Sequence, residues 1–141
     1  MSQVHAAKIT VHIIRASNVP KADKFSESDP YVKITIGTQS DKTKVISDEP
    51  NPEWNEKKSF FVTKEVEQAR EKNVPLLVKL EVFDYDPIGA NDKLGEYTVE
   101  LKGDLSEYET DEGKKFHFEP LQKTKMATIS FNLKTQNIST I

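Results

Sequence analysis

Apolar and polar residues alternate along most of this chain with a period of two. In Lys8-Ile9-Thr10-Val11-His12-Ile13 the apolar side chains at 9, 11 and 13 share one face, the pattern of a half-buried β-strand. Residues 31–36, 78–82 and 127–133 repeat it, and weaker alternation over 42–46, 57–63, 94–101 and 115–118 predicts four more strands. Short strands with one wet face each predict an all-β fold, an eight-stranded antiparallel β-sandwich. One segment departs from the pattern. Residues 64–73, KEVEQAREKN, are good helix formers with only Val66 and Ala69 to bury, which predicts a short surface helix between strands. Residues 106–113 read as an acidic loop, and no repeat, low-complexity tract or linker interrupts the chain. Residues 1–141 therefore read as one domain, with a core over about 7–135.

Composition removes several function classes. The chain has no cysteine, so disulfide frameworks and thiolate metal sites are excluded. No apolar run is long enough to span a bilayer and no secretion leader is evident, which predicts a cytoplasmic protein whose membrane contact is made by a folded surface. His5, His12 and His117 are scattered without metal spacing, and no Ser–His, Cys–His or P-loop arrangement is present. This argues against an enzyme, although carboxylate-bound metal keeps phosphoester hydrolysis as an alternative. No basic–aromatic groove signature points to nucleic acid.

The chemistry concentrates in the loops between strands. In VFDYDPIGANDKLGE, residues 82–96, the carboxylates of Asp84, Asp86 and Asp92 crowd around a turn. An EF-hand starting at Asp84 fails at position five, where Ile88 has no oxygen, and at position twelve, where Gly95 has no side chain. The flanking period is also that of a strand. Residues 84 and 86, two apart at a strand end, instead project to one side, and the chain returns with Asp92. Three carboxylates are too few for calcium, which takes six to eight oxygens. A second acidic loop, NVPKADKFSESDPY at 18–31, supplies Asp23 and Asp29 at the same six-residue separation as Asp86 and Asp92.

The motifs SDPYVK at 28–33, NPEWNE at 51–56 and FDYD…NDKLGE at 83–96 stand in an order that resembles the C2 domain family, the calcium- and phospholipid-binding β-sandwich. The resemblance covers nearly the whole chain. It implies that Asp23, Asp29, Asp84, Asp86 and Asp92 form a cup for two or three Ca²⁺ ions. The backbone carbonyls of Ala22 and Tyr85 would be further ligands, and Asp48, six before Trp54, one more. Trp54 itself reads as core. With too few residues for a strand before residue 8 and an extra strand at 127–135, the resemblance implies the circularly permuted type II topology, with both termini at the loop-bearing end.

Removing the six aspartates from a net charge of −3 leaves the rest of the chain at +3, and two Ca²⁺ ions would carry the whole to +1. The implied function is a non-catalytic module that docks reversibly on anionic phospholipid when calcium fills the loops. Phe25, Pro87 and Ile88 are the expected lipid-contacting tips. Lys21, Lys24 and Lys93 flank them, either to meet headgroups or to moderate the acidic cup. The resemblance also implies a basic face for phosphoinositide, from Tyr31, Lys33, Lys42, Lys44 and Asn91, with Phe83 where a Trp is usual. A calcium-independent scaffold that binds a protein partner is the remaining alternative.

Overall fold

A computed structural model describes residues 5–21, 27–102, 105, 108–122, 124 and 126–139. Among them, eight strands and one helix follow the order the alternation predicts: β1 (His5–Ser17), β2 (Pro30–Ile36), β3 (Gln39–Lys42), β4 (Glu53–Phe61), α1 (Thr63–Lys72), β5 (Leu76–Asp84), β6 (Asp92–Leu101), β7 (Lys114–Pro120) and β8 (Thr128–Ser139). They form two four-stranded antiparallel sheets, ordered β4-β1-β8-β7 and β3-β2-β5-β6. The alternating apolar residues face each other between the sheets. Ile9, Val11 and Ile13 of β1, Val32, Ile34 and Ile36 of β2, and Val78, Leu80 and Val82 of β5 are all fully buried. Trp54 joins this core, and its Nε1–H donates to the carbonyl of Lys44 at 3.0 Å, so its one polar atom is satisfied.

The helix is as shallow as its sequence implies. Val66 is its only buried residue, Ala69 is partly buried, and Asn73 ends it in a left-handed conformation with φ 53°. Asn tolerates that conformation because its short side chain bonds locally.

Two expectations are corrected. First, the described ends of the chain lie away from the acidic loops. β8 runs antiparallel to β1, so His5 pairs with Ser139 while Ser17, which leads into the first acidic loop, pairs with Thr128. The strand order is the permuted one, but the described ends, His5 and Ser139, sit at the opposite end of the sandwich. Second, β3 stops at Lys42 and does not continue to 46. Thr43 turns its hydroxyl inward to accept the N–H of Val32 at 2.9 Å, while its own N–H donates to the Val32 carbonyl. Lys44 therefore lies beyond the strand, fixed by its N–H donating to Glu56 Oε2 at 3.0 Å.

One titratable group on the outer face of the β4-β1-β8-β7 sheet has a shifted equilibrium. Burial, with the charge of Lys57 on the neighbouring strand, holds the His12 imidazole below the ordinary histidine value. The folded chain thus favours neutral His12. Its contribution to stability is complete above the ordinary histidine range and is lost as pH falls through that range toward the lowered folded value. An NMR titration of the imidazole should show a midpoint below the ordinary value, and Lys57→Gln should move that midpoint upward.

Candidate calcium and membrane site

Asp29 precedes Pro30, and Pro30 pairs with Asp84 at the end of the β2–β5 ladder, so the two acidic loops start side by side. The Asp29 N–H donates to Asp84 Oδ1 at 2.8 Å, and the Tyr85 N–H donates back to the Asp29 carbonyl at 3.0 Å. Asp48 closes on them from the loop before β4. Its N–H donates to Asp29 Oδ1 at 2.7 Å, and its own Oδ1 accepts the N–H of Glu27 at 3.0 Å. The reversal that allows this puts Asp48 at φ 55°, a conformation Asp tolerates better than most residues. Three carboxylates distant in sequence are thereby chained through backbone donors. Asp92 stands opposite Asp84 as its Cα partner across β5 and β6.

Asp86 belongs to the tip of its loop. Its Oδ1 accepts the N–H of Ile88 at 2.9 Å, and its N–H donates to Asn91 Oδ1 at 2.8 Å. These bonds hold the turn while Ile88 is 96% exposed, so Ile88 does not pack between loops. Pro87 beside it is exposed as well. Asp23, Ala22 and Phe25, expected in the first loop, lie outside the described residues.

The donor set is entirely oxygen, which suits a hard cation such as Ca²⁺ over a transition metal. Among the described residues no three His, Asp or Glu side chains are grouped to hold a metal ion. What the described part provides is a row of carboxylates, four of which have one oxygen oriented by a backbone N–H.

On the outer face of the β3-β2-β5-β6 sheet, Tyr31 is only 7% exposed, because Phe83 stacks on it with centroids 5.6 Å apart. Asn91 Nδ2 donates to the Tyr31 hydroxyl at 2.7 Å, and Lys42 Nζ lies 5.8 Å from the ring centroid. Lys33 is exposed and is the Cα partner of Lys42. Tyr31, Phe83, Asn91, Lys33 and Lys42 are therefore brought together, with exposed Lys44 two residues further on. Lys93 is differently placed: it contacts Glu96 at 2.8 Å and Glu81 at 3.0 Å. Its hydrogen bond to Glu96, helped by Glu81 against the effect of burial, raises its ammonium above the usual lysine value. Lys21 lies 3.2 Å from Glu27. Both lysines are thus engaged with acids beside the cup.

The sequence reading passed over the segment 121–127, which emerges at the same end. Met126 there is 81% exposed at φ 69°. The signal was an apolar residue following two lysines in KTKM, too short to stand out from any polar turn.

The C2 domain family model matches residues 7–119. The chain belongs to the C2 domain family. Protein C2-DOMAIN ABA-RELATED 1 of Arabidopsis thaliana is 39% identical over 88 residues, 62% of this chain and 46% of that protein. Cytosolic phospholipase A2 epsilon of Homo sapiens is 40% identical over 89 residues, 61% of this C2 chain but 9% of the phospholipase. The chain thus spans about half the length of the ABA-related relatives it matches and a small part of the phospholipase. Among solved structures, a C2 domain of plant Extended Synaptotagmin 1 superposes with a TM-score of 0.70 at 26% identity, covering 100% of this chain and 99% of that one. The calcium-bound pair of C2 domains from Extended-Synaptotagmin 2 gives 0.74 at 24% identity over 95% of this chain and 47% of that one, a likeness of fold. This C2 kinship supports a membrane-binding module, and among its described residues no helix is long and apolar enough to cross a membrane.

Proposed function

We propose that this C2 domain is a calcium-dependent, non-catalytic membrane-docking module, recruited reversibly from the cytoplasm to anionic phospholipid. The observation that carries the reading is the hydrogen-bonded row Asp84–Asp29–Asp48 at the root of a loop whose tip, Ile88, is 96% exposed. Asp23, Asp29, Asp84, Asp86 and Asp92 would hold the ions, two or three in number, with Asp48 and the carbonyls of Ala22 and Tyr85. Calcium, when bound, supplies positive charge that lipid phosphate oxygens meet. Without it, the clustered carboxylates repel both one another and an anionic surface. The N–H groups of Glu27, Asp29 and Asp48, which donate to the carboxylates of Asp48, Asp84 and Asp29, keep the cup in shape through that change, so the response is electrostatic more than conformational. Ile88 and Pro87 enter the lipid interface, and Lys33, Lys42 and Lys44 beside the Tyr31–Phe83 stack meet a phosphoinositide headgroup.

The test is sedimentation with phosphatidylserine-containing vesicles, with calcium and with chelator. Wild type should pellet only with calcium. Burying an Ile side chain is worth roughly 1.5–3 kcal/mol, so Ile88→Glu should weaken that binding about 10- to 100-fold. Solution calcium binding by Ile88→Glu should be unchanged. Equal pelleting with chelator would remove calcium from the function.

A further inference from the structure

The loop joining β7 to β8 stands at the same end as the acidic loops, since Thr128, where β8 begins, pairs with Ser17. It is pinned at three places. The Leu121 N–H donates to the Ala127 carbonyl at 3.0 Å, closing the loop on itself. Gln122 and Glu96 of β6 exchange backbone hydrogen bonds of 2.7 and 3.1 Å. Asn18 Nδ2 donates to the Met126 carbonyl at 3.4 Å, which ties the loop to the start of the first acidic loop. Its two feet, Leu121 and Ala127, are buried in the core, whereas Met126 between them is 81% exposed.

That exposure is held against a cost. At φ 69° Met126 occupies the left-handed region, which a residue with a side chain avoids unless its surroundings impose it. The anchors impose it here, and the result is an apolar side chain pointed outward from a fixed base. The chemistry around it selects the partner. Lys123 and Lys125 precede Met126 in the chain, and no Asp or Glu occurs anywhere from residue 120 to residue 141. An apolar residue that follows two lysines in the sequence, on a loop with no acid of its own, matches the interface of an anionic bilayer. Methionine is unbranched and flexible, so it adapts to a fluid interface. The Ile88 loop is its neighbour through β6: Asp92, at the close of that loop, lies four residues before Glu96, the residue bridged to Gln122.

We propose that the 121–127 loop is a further membrane-contacting element, with Met126 as its inserted side chain and an anionic phospholipid surface as its partner. This rests on the membrane-docking reading above and adds a loop on the β6–β8 side of the acidic cup.

Because the chain has no cysteine, Met126→Cys carries a polarity-sensitive dye at one position only. On phosphatidylcholine–phosphatidylserine vesicles with calcium, the dye should shift to the blue and become shielded from an aqueous quencher. A dye at Phe61→Cys, 61% exposed and paired with Lys8 near the opposite end, should do neither. Met126→Glu should weaken vesicle affinity about tenfold with calcium affinity in solution unchanged, and Met126→Leu should restore it. If wild type binds these vesicles while the dye at 126 stays silent and Met126→Glu binds as wild type does, the loop is not a contact and the docking reading stands. If wild type does not bind them at all, both are overturned.

Discussion

Asp84→Asn should abolish calcium-driven binding to anionic vesicles while leaving the domain folded. The substitution is nearly isosteric, and the amide oxygen still accepts the Asp29 N–H that Asp84 Oδ1 accepts at 2.8 Å. What it removes is a negative charge at the junction of both acidic loops. Loss of an outer partner alone costs a metal site about 10–100-fold, and loss of Asp84 in its proposed role as a direct ligand should cost about a hundredfold or more. Without calcium the variant should be as stable as wild type or slightly more so, because one negative charge in the row with Asp29 and Asp48 is gone. With calcium, wild type should gain stability through binding to the folded state alone, and the variant should not. Thermal unfolding with and without calcium, alongside calorimetric calcium titration, separates these outcomes. A variant that unfolds without calcium would make Asp84 structural, and unchanged calcium affinity would take it out of the site.

Phe131→Ala should produce the largest loss of stability without altering the cup. Phe131 is fully buried on β8, stacked on Phe116 of β7 with centroids 4.5 Å apart, and set edge-on to Tyr97 of β6 at 5.7 Å. It thus couples the two sheets where their edge strands approach. Removing a buried aromatic costs about 3–5 kcal/mol through lost burial and the cavity left behind. That is a large share of the roughly 5–15 kcal/mol that holds a domain folded. Denaturant melts should show a lower midpoint with an unchanged slope, and Tm should fall by about 10 °C. Calcium affinity of the folded variant should stay near that of wild type, since none of the hydrogen bonds among Asp29, Asp48 and Asp84 involves Phe131. Asp84→Asn and Phe131→Ala should therefore separate function from stability in opposite directions.

The strands were legible because each has one wet and one dry face, and the period survives in residues such as Ile9, Val11 and Ile13 or Val78, Leu80 and Val82. The end of β3 was not, because Thr43 is polar by type yet buried by its hydroxyl bond to Val32. The placement of the chain ends depends on which way β8 runs beside β1, and that is a matter of pairing, not composition. In the site, the aspartates themselves marked the loops, but the six-residue spacing did not show which carboxylates meet. The structure links Asp29 to Asp84 and Asp48, and Asp23 lies outside the described residues. The route by which Asp48 reaches Asp29 runs through a backbone N–H and a left-handed turn, neither of which has a side-chain signature. Tyr31 read as an outward residue of its strand. It is on that face, but Phe83, Asn91 and Lys42 cover it, so its role on the basic face is to support the lysines more than to be exposed itself. Met126 escaped notice because its exposure follows from how its loop is anchored.

The most direct test of calcium binding by the acidic cup is an amide NMR titration with calcium. The N–H groups of Glu27, Asp29, Asp48 and Ile88 donate to the carboxylates of Asp48, Asp84, Asp29 and Asp86, so their resonances report on the charge those oxygens face. Saturable shifts at these four amides, with the amides of Lys8 and Phe61 at the opposite end unmoved, are the expected result. Calcium that leaves all four in place at millimolar concentration would contradict it.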